Sequence, residues 1–211
     1  DKARMLEELP HAGKDDVVLL HGCCHNPTGA DIDFDTWQQL TRMAQEKGFT
    51  PFVDVAYQGF GDGIDEDAAG LRYMAEHVEE MMITTSCSKN FGLYRERTGA
   101  AIVLGKSAAD ATKARGKLLT MARATYTMPP DHGAALVKTI LLDAELKKIW
   151  QQELIVMQKR LVSLRQALCD EFRITHNTSK FDFIQSHKGM FTVLGFSQQQ
   201  MSLLRDEYGI Y

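Results

Sequence analysis

Polar side chains that could bind a cofactor lie at or near the ends of the apolar segments of this chain. Residues 17–20, 49–57, 81–85 and 98–104 are rich in β-branched and large apolar side chains, and this composition predicts four strands. At their ends lie Asn26, Asp54, Tyr57, Ser86, Ser88, Lys89 and Arg97.

The segments between the first three strands have helical periodicity. Apolar residues recur at helical spacing across residues 34–47, between an Asp33 or Asp35 cap and Gly48, and a second helix is predicted around residues 68–78. Strands that alternate with amphipathic helices favour an α/β fold with a mainly parallel sheet covered on both faces. Because ligands bind at the carboxyl ends of parallel strands, we expect the polar residues to meet at one rim of the sheet.

The remainder of the chain is predicted to be mostly helical. Helices are expected over residues 107–124, 131–142 and 144–172, and the last is long enough to join two domains. Residues 181–195 favour a strand pair or a bent strand, and residues 197–209 a helix.

This order of elements predicts two domains. We expect a large domain over residues 1–154 and part of a smaller α+β domain over residues 155–211.

Composition limits the kind of partner. With 44% hydrophobic and 25% charged residues, a net charge of −4 and no block of like charges, the sequence indicates a globular protein with small-molecule ligands rather than nucleic acid or membrane. Four cysteines without a C-x-x-C pair predict reduced packing thiols, and together with the lack of a signal peptide or apolar span they favour the cytoplasm.

Taken singly, several of the polar residues have ordinary explanations. Asn26 precedes Pro27 and is typical of a turn, whereas Lys89 and Arg97 could be solvated cations. Asp54 is less easily explained, because a carboxylate among Phe52, Val53 and Val55 needs a partner if it is buried.

Taken together, these residues match the needs of pyridoxal phosphate. The cofactor requires a lysine amine for a Schiff base, an acid opposite its pyridinium nitrogen, donors to its phenolic oxygen and a phosphate site. Lys89 offers the amine and later a general base, Asp54 the acid, and Asn26 and Tyr57 the donors. Phosphate could be bound by Ser86, Ser88 and Arg97.

A metal site is the weaker alternative. His21, Cys24 and His25 are close in sequence, but alternation along a strand would direct Cys24 and His25 to opposite faces. We therefore expect no metal.

Three motifs resemble a known family: HGCCHNPTG at residues 21–29, DVAYQGF at 54–60 and SCSKNFGLYRERTGA at 86–100. In this order they resemble the class I aminotransferases, specifically the aspartate and aromatic amino acid branch. The resemblance extends over residues 17–211, with weaker agreement at ARATYTMPPDHGA (122–134) and GMF (189–191).

The resemblance implies fold type I of the pyridoxal phosphate enzymes, in which helices sandwich the sheet. It implies that Lys89, Asp54 and Tyr57 are catalytic, and that Asn26 also contacts substrate. Arg123 would bind the side-chain carboxylate of a dicarboxylic substrate in the neighbouring subunit, with Tyr126 and Thr127 near the same boundary. The alternative for Arg123 is an ordinary cation at a helix end.

The function implied is transfer of the amino group of aspartate or an aromatic amino acid to 2-oxoglutarate, by a ping-pong route in a homodimer. Substrate preference stays open, with a slight leaning toward aromatic amino acids. There are two alternatives: a lyase or decarboxylase on the same fold, and a binding module that lacks catalytic activity.

The resemblance also predicts that the sequence is part of a longer chain. Members of the family are nearly twice this length, and their first segment and their C-terminal substrate arginine have no counterpart here. We expect this portion alone to hold the cofactor weakly and to transaminate poorly, or to be catalytically incompetent.

Overall fold

A computed structural model describes residues 2–211, and a four-stranded sheet lies at its centre. The strands are β1 (Val17–His21), β2 (Thr50–Val55), β3 (Met81–Ser86) and β4 (Gly99–Leu104). They lie in chain order across the sheet, with β1, β2 and β3 parallel and β4 antiparallel to β3. The predicted mainly parallel, mixed sheet is confirmed.

Helices account for most of the other residues that the structure describes. The α-helices are α1 (Lys2–Glu8), α2 (Phe34–Lys47), α3 (Ala69–His77), α4 (Ala108–Thr125), α5 (His132–Leu142), α6 (Ala144–His176) and α7 (Gln198–Tyr208). Short 3-10 helices lie at Leu9–His11, Glu66–Ala68 and Asp182–Ser186.

Helix α2 has the bounds that the sequence predicts, because both ends are capped. The Asp33 carboxylate accepts a hydrogen bond from the Thr36 amide at 2.8 Å, and Gly48 ends the helix with a φ of 78°. Hydrogen bonds from the Lys2 ammonium and from the hydroxyl and amide of Thr36 lower the pKa of Asp33 to about 2.

The main core joins the sheet to three helices. Its fully buried side chains come from α2, α3, β2, β3 and α6, and they include Leu40, Met74, Val53, Met81 and Leu154. By contrast, α4 buries no side chain among the described residues, and the first four residues of β4 are exposed.

The strand pair or bent strand expected at residues 181–195 is wrong. This stretch forms the 3-10 helix Asp182–Ser186, followed by extended chain that pairs with no strand of residues 2–211. Phe181 of this stretch packs against α6 instead. It stacks on Phe172 with ring centroids 4.3 Å apart, and Ile184 and Cys169 are buried beside them.

The long helix is confirmed and extends slightly further than predicted. Helix α6 has 33 residues and continues without interruption through residue 154, where we predicted a domain boundary. That boundary stays a prediction. Within residues 2–211, no helix combines the length and apolar composition needed to span a membrane.

Candidate active site

The carboxyl ends of three parallel strands bring the predicted acid to the rim of the sheet. In the strand register, Asp54 lies between His21 of β1 and Thr84 of β3. The Thr84 hydroxyl donates a hydrogen bond to the Asp54 carboxylate at 2.6 Å. Asp54 therefore has the partner that a half-buried carboxylate needs, and sequence reasoning missed this threonine although it lies at the end of a predicted strand.

Tyr57 links two other predicted residues. The Asn26 side-chain amide donates to the Tyr57 hydroxyl at 3.2 Å, and the Lys89 amine lies 4.5 Å from the centroid of the Tyr57 ring. Within residues 2–211, the Lys89 amine forms no hydrogen bond or ion pair. Its electrostatic contact there is the cation–π interaction with the Tyr57 ring. Asn26, Tyr57 and Lys89 therefore form one cluster.

The residues predicted to bind phosphate are only partly brought together. The Ser88 amide donates to the Ser86 hydroxyl at 3.1 Å, and Ser88 is buried. Arg97 is exposed, and its guanidinium donates to the Tyr94 carbonyl at 3.0 Å rather than to either serine. The phosphate role of these residues stays a prediction.

Arg123 lies in the last turn of α4 and is exposed. Its guanidinium forms no hydrogen bond or ion pair with another residue of the described chain, 2–211. The structure therefore does not bring it to the Lys89 cluster, and its role in a neighbouring subunit stays a prediction.

The loop that carries Asn26 is held by Asp31. The Asp31 carboxylate accepts hydrogen bonds from the Cys24 and His25 amides, each at 2.7 Å. The His25 ring in turn bonds the Thr28 hydroxyl at 2.8 Å. These bonds give a short polar loop a fixed shape, and they position Asn26 beside Tyr57.

Asp67 organises the loop that follows Tyr57. Its buried carboxylate accepts hydrogen bonds from the amides of Gly59 at 2.8 Å, Gly61 at 3.0 Å and Asp62 at 2.8 Å, with a longer one from Gly63 at 3.4 Å. A carboxylate that replaces water for several backbone amides is strongly stabilising. Sequence reasoning missed this role, because Asp67 lies in an acidic stretch that is typical of a protein surface.

Helix α6 supports the turn that carries Lys89. The Trp150 indole donates to the Asn90 carbonyl at 2.7 Å, and its ring stacks on Phe91 with centroids 4.4 Å apart. The Asn90 side chain donates to the Gln58 carbonyl at 3.2 Å. The backbone on the C-terminal side of Lys89 is therefore attached both to α6 and to the loop after Tyr57.

All four cysteines are free, and three are buried. The set His21, Cys24 and His25 is not brought to ligand distance in the described residues, whereas Cys23, Cys24 and Asp67 have potential ligand atoms within 4.8 Å of one another. The Asp67 oxygens already accept the loop amides, and a hydrogen bond with Cys24 together with burial raises the pKa of Cys23. This second set is therefore poorly suited to a cation.

Comparison with known proteins identifies the family to which this chain belongs. The family model described as "Aminotransferase class I and II" matches residues 1–211. The chain belongs to the class I and II aminotransferase family.

Among similar proteins of this aminotransferase family is the aromatic-amino-acid aminotransferase of Paracoccus denitrificans, which is 44% identical over 98% of this chain and 52% of its own length. The aspartate aminotransferase of Escherichia coli (strain K12) is 42% identical over the same shares. The chain thus spans about half the length of these relatives.

A solved structure has the same fold. The aromatic-amino-acid aminotransferase from Burkholderia pseudomallei, covalently bound to pyridoxal phosphate, matches with a TM-score of 0.96 and 36% identity, over 100% of this chain and 53% of that one. The predicted fold type I architecture is confirmed for this chain.

The role of Asp67 can be tested by Asp67→Asn. Asparagine replaces one of the two acceptor oxygens with an NH2 donor that faces backbone N–H donors. We therefore expect the free energy of unfolding to fall by about 1–3 kcal/mol in urea titrations. The control is Asp65→Asn, which alters an exposed ion pair with Arg72 and should change stability by less than about 1 kcal/mol. Equal, small effects would contradict the role of Asp67.

Proposed function

We propose that the full-length protein is a pyridoxal phosphate-dependent aminotransferase that transfers the amino group of an aromatic amino acid or aspartate to 2-oxoglutarate by a ping-pong route. The observation that carries the proposal is the Lys89 amine, which lies over the Tyr57 ring without an ion-pair partner in residues 2–211. An amine that is free of carboxylates and held beside a buried phenol is suited to a covalent bond with an aldehyde.

The donor set fits pyridoxal phosphate. The Asn26 amide and Tyr57 hydroxyl are joined at 3.2 Å and together suit the phenolic oxygen of the cofactor. Asp54 is the acid of the same rim, and its carboxylate accepts a hydrogen bond from the Thr84 hydroxyl. In this proposal Asp54 would hold the proton of the ring nitrogen. The Ser88 amide donates to the Ser86 hydroxyl, and the hydroxyl groups of both serines are the donors proposed for phosphate.

Each of the candidate site residues has a defined task in this proposal. When bound, pyridoxal phosphate supplies an electron-withdrawing ring that stabilises negative charge at the α-carbon of the amino acid. Asp54 keeps the ring nitrogen protonated, while Asn26 and Tyr57 orient the ring through its phenolic oxygen. Lys89 attaches the cofactor and then moves the proton of the substrate α-carbon as a general base.

The substrate and the assembly belong to the same proposal. Arg123 is exposed and has no ion-pair partner in residues 2–211, so its guanidinium is available to bind a dicarboxylate in a neighbouring subunit. We therefore propose a homodimer, with the aromatic or aspartate preference taken from the named relatives. The cytoplasmic compartment remains a prediction from the sequence.

The role of Lys89 is tested by borohydride reduction of the full-length protein with pyridoxal phosphate, followed by peptide mapping. We expect the reduced adduct on Lys89, and we expect Lys89→Ala to lose the adduct and about 10²–10⁴-fold or more of the transamination rate. Lys106→Ala, which removes an exposed lysine beside Glu79 and Glu80, is the control and should keep both. An adduct that persists in Lys89→Ala would overturn the assignment.

The role of Arg123 is tested by Arg123→Leu in single-turnover half-reactions with one amino acid at a time. Loss of a charged hydrogen-bonding partner should lower kcat/KM for aspartate by about 10–100-fold, with much smaller losses for tyrosine and phenylalanine. Arg115→Leu removes another exposed arginine of α4 and serves as the control. Equal losses for aspartate and tyrosine would count against a carboxylate-binding role. Repeated turnover of the amino acid without any keto acid would favour a lyase.

A further inference from the structure

The side chain of Arg165 faces a backbone segment instead of a carboxylate. Its Nη2 donates to the carbonyls of Gly189 at 2.6 Å and Phe191 at 2.9 Å, and more weakly to that of Lys188 at 3.4 Å, while Nη1 donates to the Thr192 hydroxyl. No carboxylate within residues 2–211 forms an ion pair with it. We call residues 188–192 the clamped segment, because one partly buried guanidinium binds three of its backbone carbonyls and its threonine hydroxyl.

The clamped segment lies directly against the loop that carries Asn26. The Lys188 amide donates to the Gly29 carbonyl at 2.7 Å. Gly29 and Gly189 have φ angles of +71° and +76°. A Cβ on Gly29 would lie 2.3 Å from the Phe191 carbonyl oxygen, and a Cβ on Gly189 would lie 2.4 Å from Cys24 Cβ. Two backbones that approach this closely leave the loop little freedom to move independently of the segment.

The same segment contacts the partner of Asn26. The Phe191 ring meets the Tyr57 ring edge-on, with centroids 5.9 Å apart and an interplanar angle of 87°. The clamped segment thus touches both the loop of Asn26 and the ring of Tyr57, whose side chains are hydrogen-bonded to each other.

We propose that Arg165 is a positioning residue, which sets the relative placement of the Asn26 amide and the Tyr57 hydroxyl through the clamped segment. It touches neither side chain itself. This inference rests on the proposed function, because these two donors matter through the phenolic oxygen of pyridoxal phosphate. Donors held at that oxygen lower the pH at which the visible absorbance of the bound cofactor changes, so their displacement raises that midpoint.

The test uses Arg165→Met in the full-length protein, with two measurements. In the cofactor-bound protein we expect the absorbance midpoint to rise by about half a pH unit or more. In the cofactor-free protein we expect backbone hydrogen exchange to accelerate about tenfold in residues 187–192 and 24–31 but not in residues 34–47. Arg165→Lys, which keeps the charge and some donors, should give a smaller change in both.

The matched control is Arg173→Met. Arg173 lies two turns further along α6 and pairs with Asp182 at 2.7 Å, away from the clamped segment, so its loss should leave the midpoint unchanged. A midpoint in Arg165→Met that equals the wild-type value would overturn the proposal even if exchange accelerates, and so would equal shifts in both variants.

A second variant keeps the proposal testable if Arg165→Met fails to fold. Thr192→Val removes one acceptor of the Arg165 guanidinium and should raise the midpoint in the same direction, whereas no shift would overturn the proposal. The wild-type titration separates this inference from the proposed function. A wild-type protein without a pH-dependent visible band contradicts the function, whereas a normal wild-type band with unshifted variants contradicts only the role of Arg165.

Discussion

The parallel register of β1, β2 and β3 is the constraint on which the candidate site depends. Within β2, Val53 and Val55 are buried in the core and Asp54 between them points to the other face, where it meets Thr84. Because side chains alternate along a strand, a slip of one residue would bury the carboxylate and expose both valines. Burial of the two valines thus determines the face of the sheet on which the Asp54 carboxylate lies. The position of this candidate site residue therefore depends on packing in the core.

Helix α6 supplies the second constraint, because its side chains attach the loops beyond the strands to one rigid element. Trp150, Leu154, Gln158 and Arg165 lie on one stripe of the helix at spacings of four, four and seven residues. In order, they contact the Lys89 turn, Gly59, the Gly61 carbonyl and the clamped segment. One rigid element, about 22 Å long from Trp150 to Arg165, therefore fixes the backbone around the rim.

Sequence patterns predicted those parts of the molecule that local physics decides. Periodicity and caps predicted the bounds of α2. Apolar runs predicted the strands, and with them the rim at which Asp54 and Lys89 lie. The apolar pattern after α6 favours a strand, but the folded chain uses its aromatic residues differently: Phe181 stacks on Phe172 of α6, and Phe191 contacts Tyr57. Asp67 and Arg165 could not be predicted, since their partners are backbone groups that only the folded chain brings to them.

The most direct test of the account is a crystal structure of the full-length protein grown with pyridoxal phosphate. The account predicts a covalent bond from Lys89 Nζ to the cofactor, the Asp54 carboxylate about 2.6–3.2 Å from the ring nitrogen, and Asn26 and Tyr57 at the phenolic oxygen. A cofactor bound elsewhere, or packed core between Lys89 and Asp54, would contradict it.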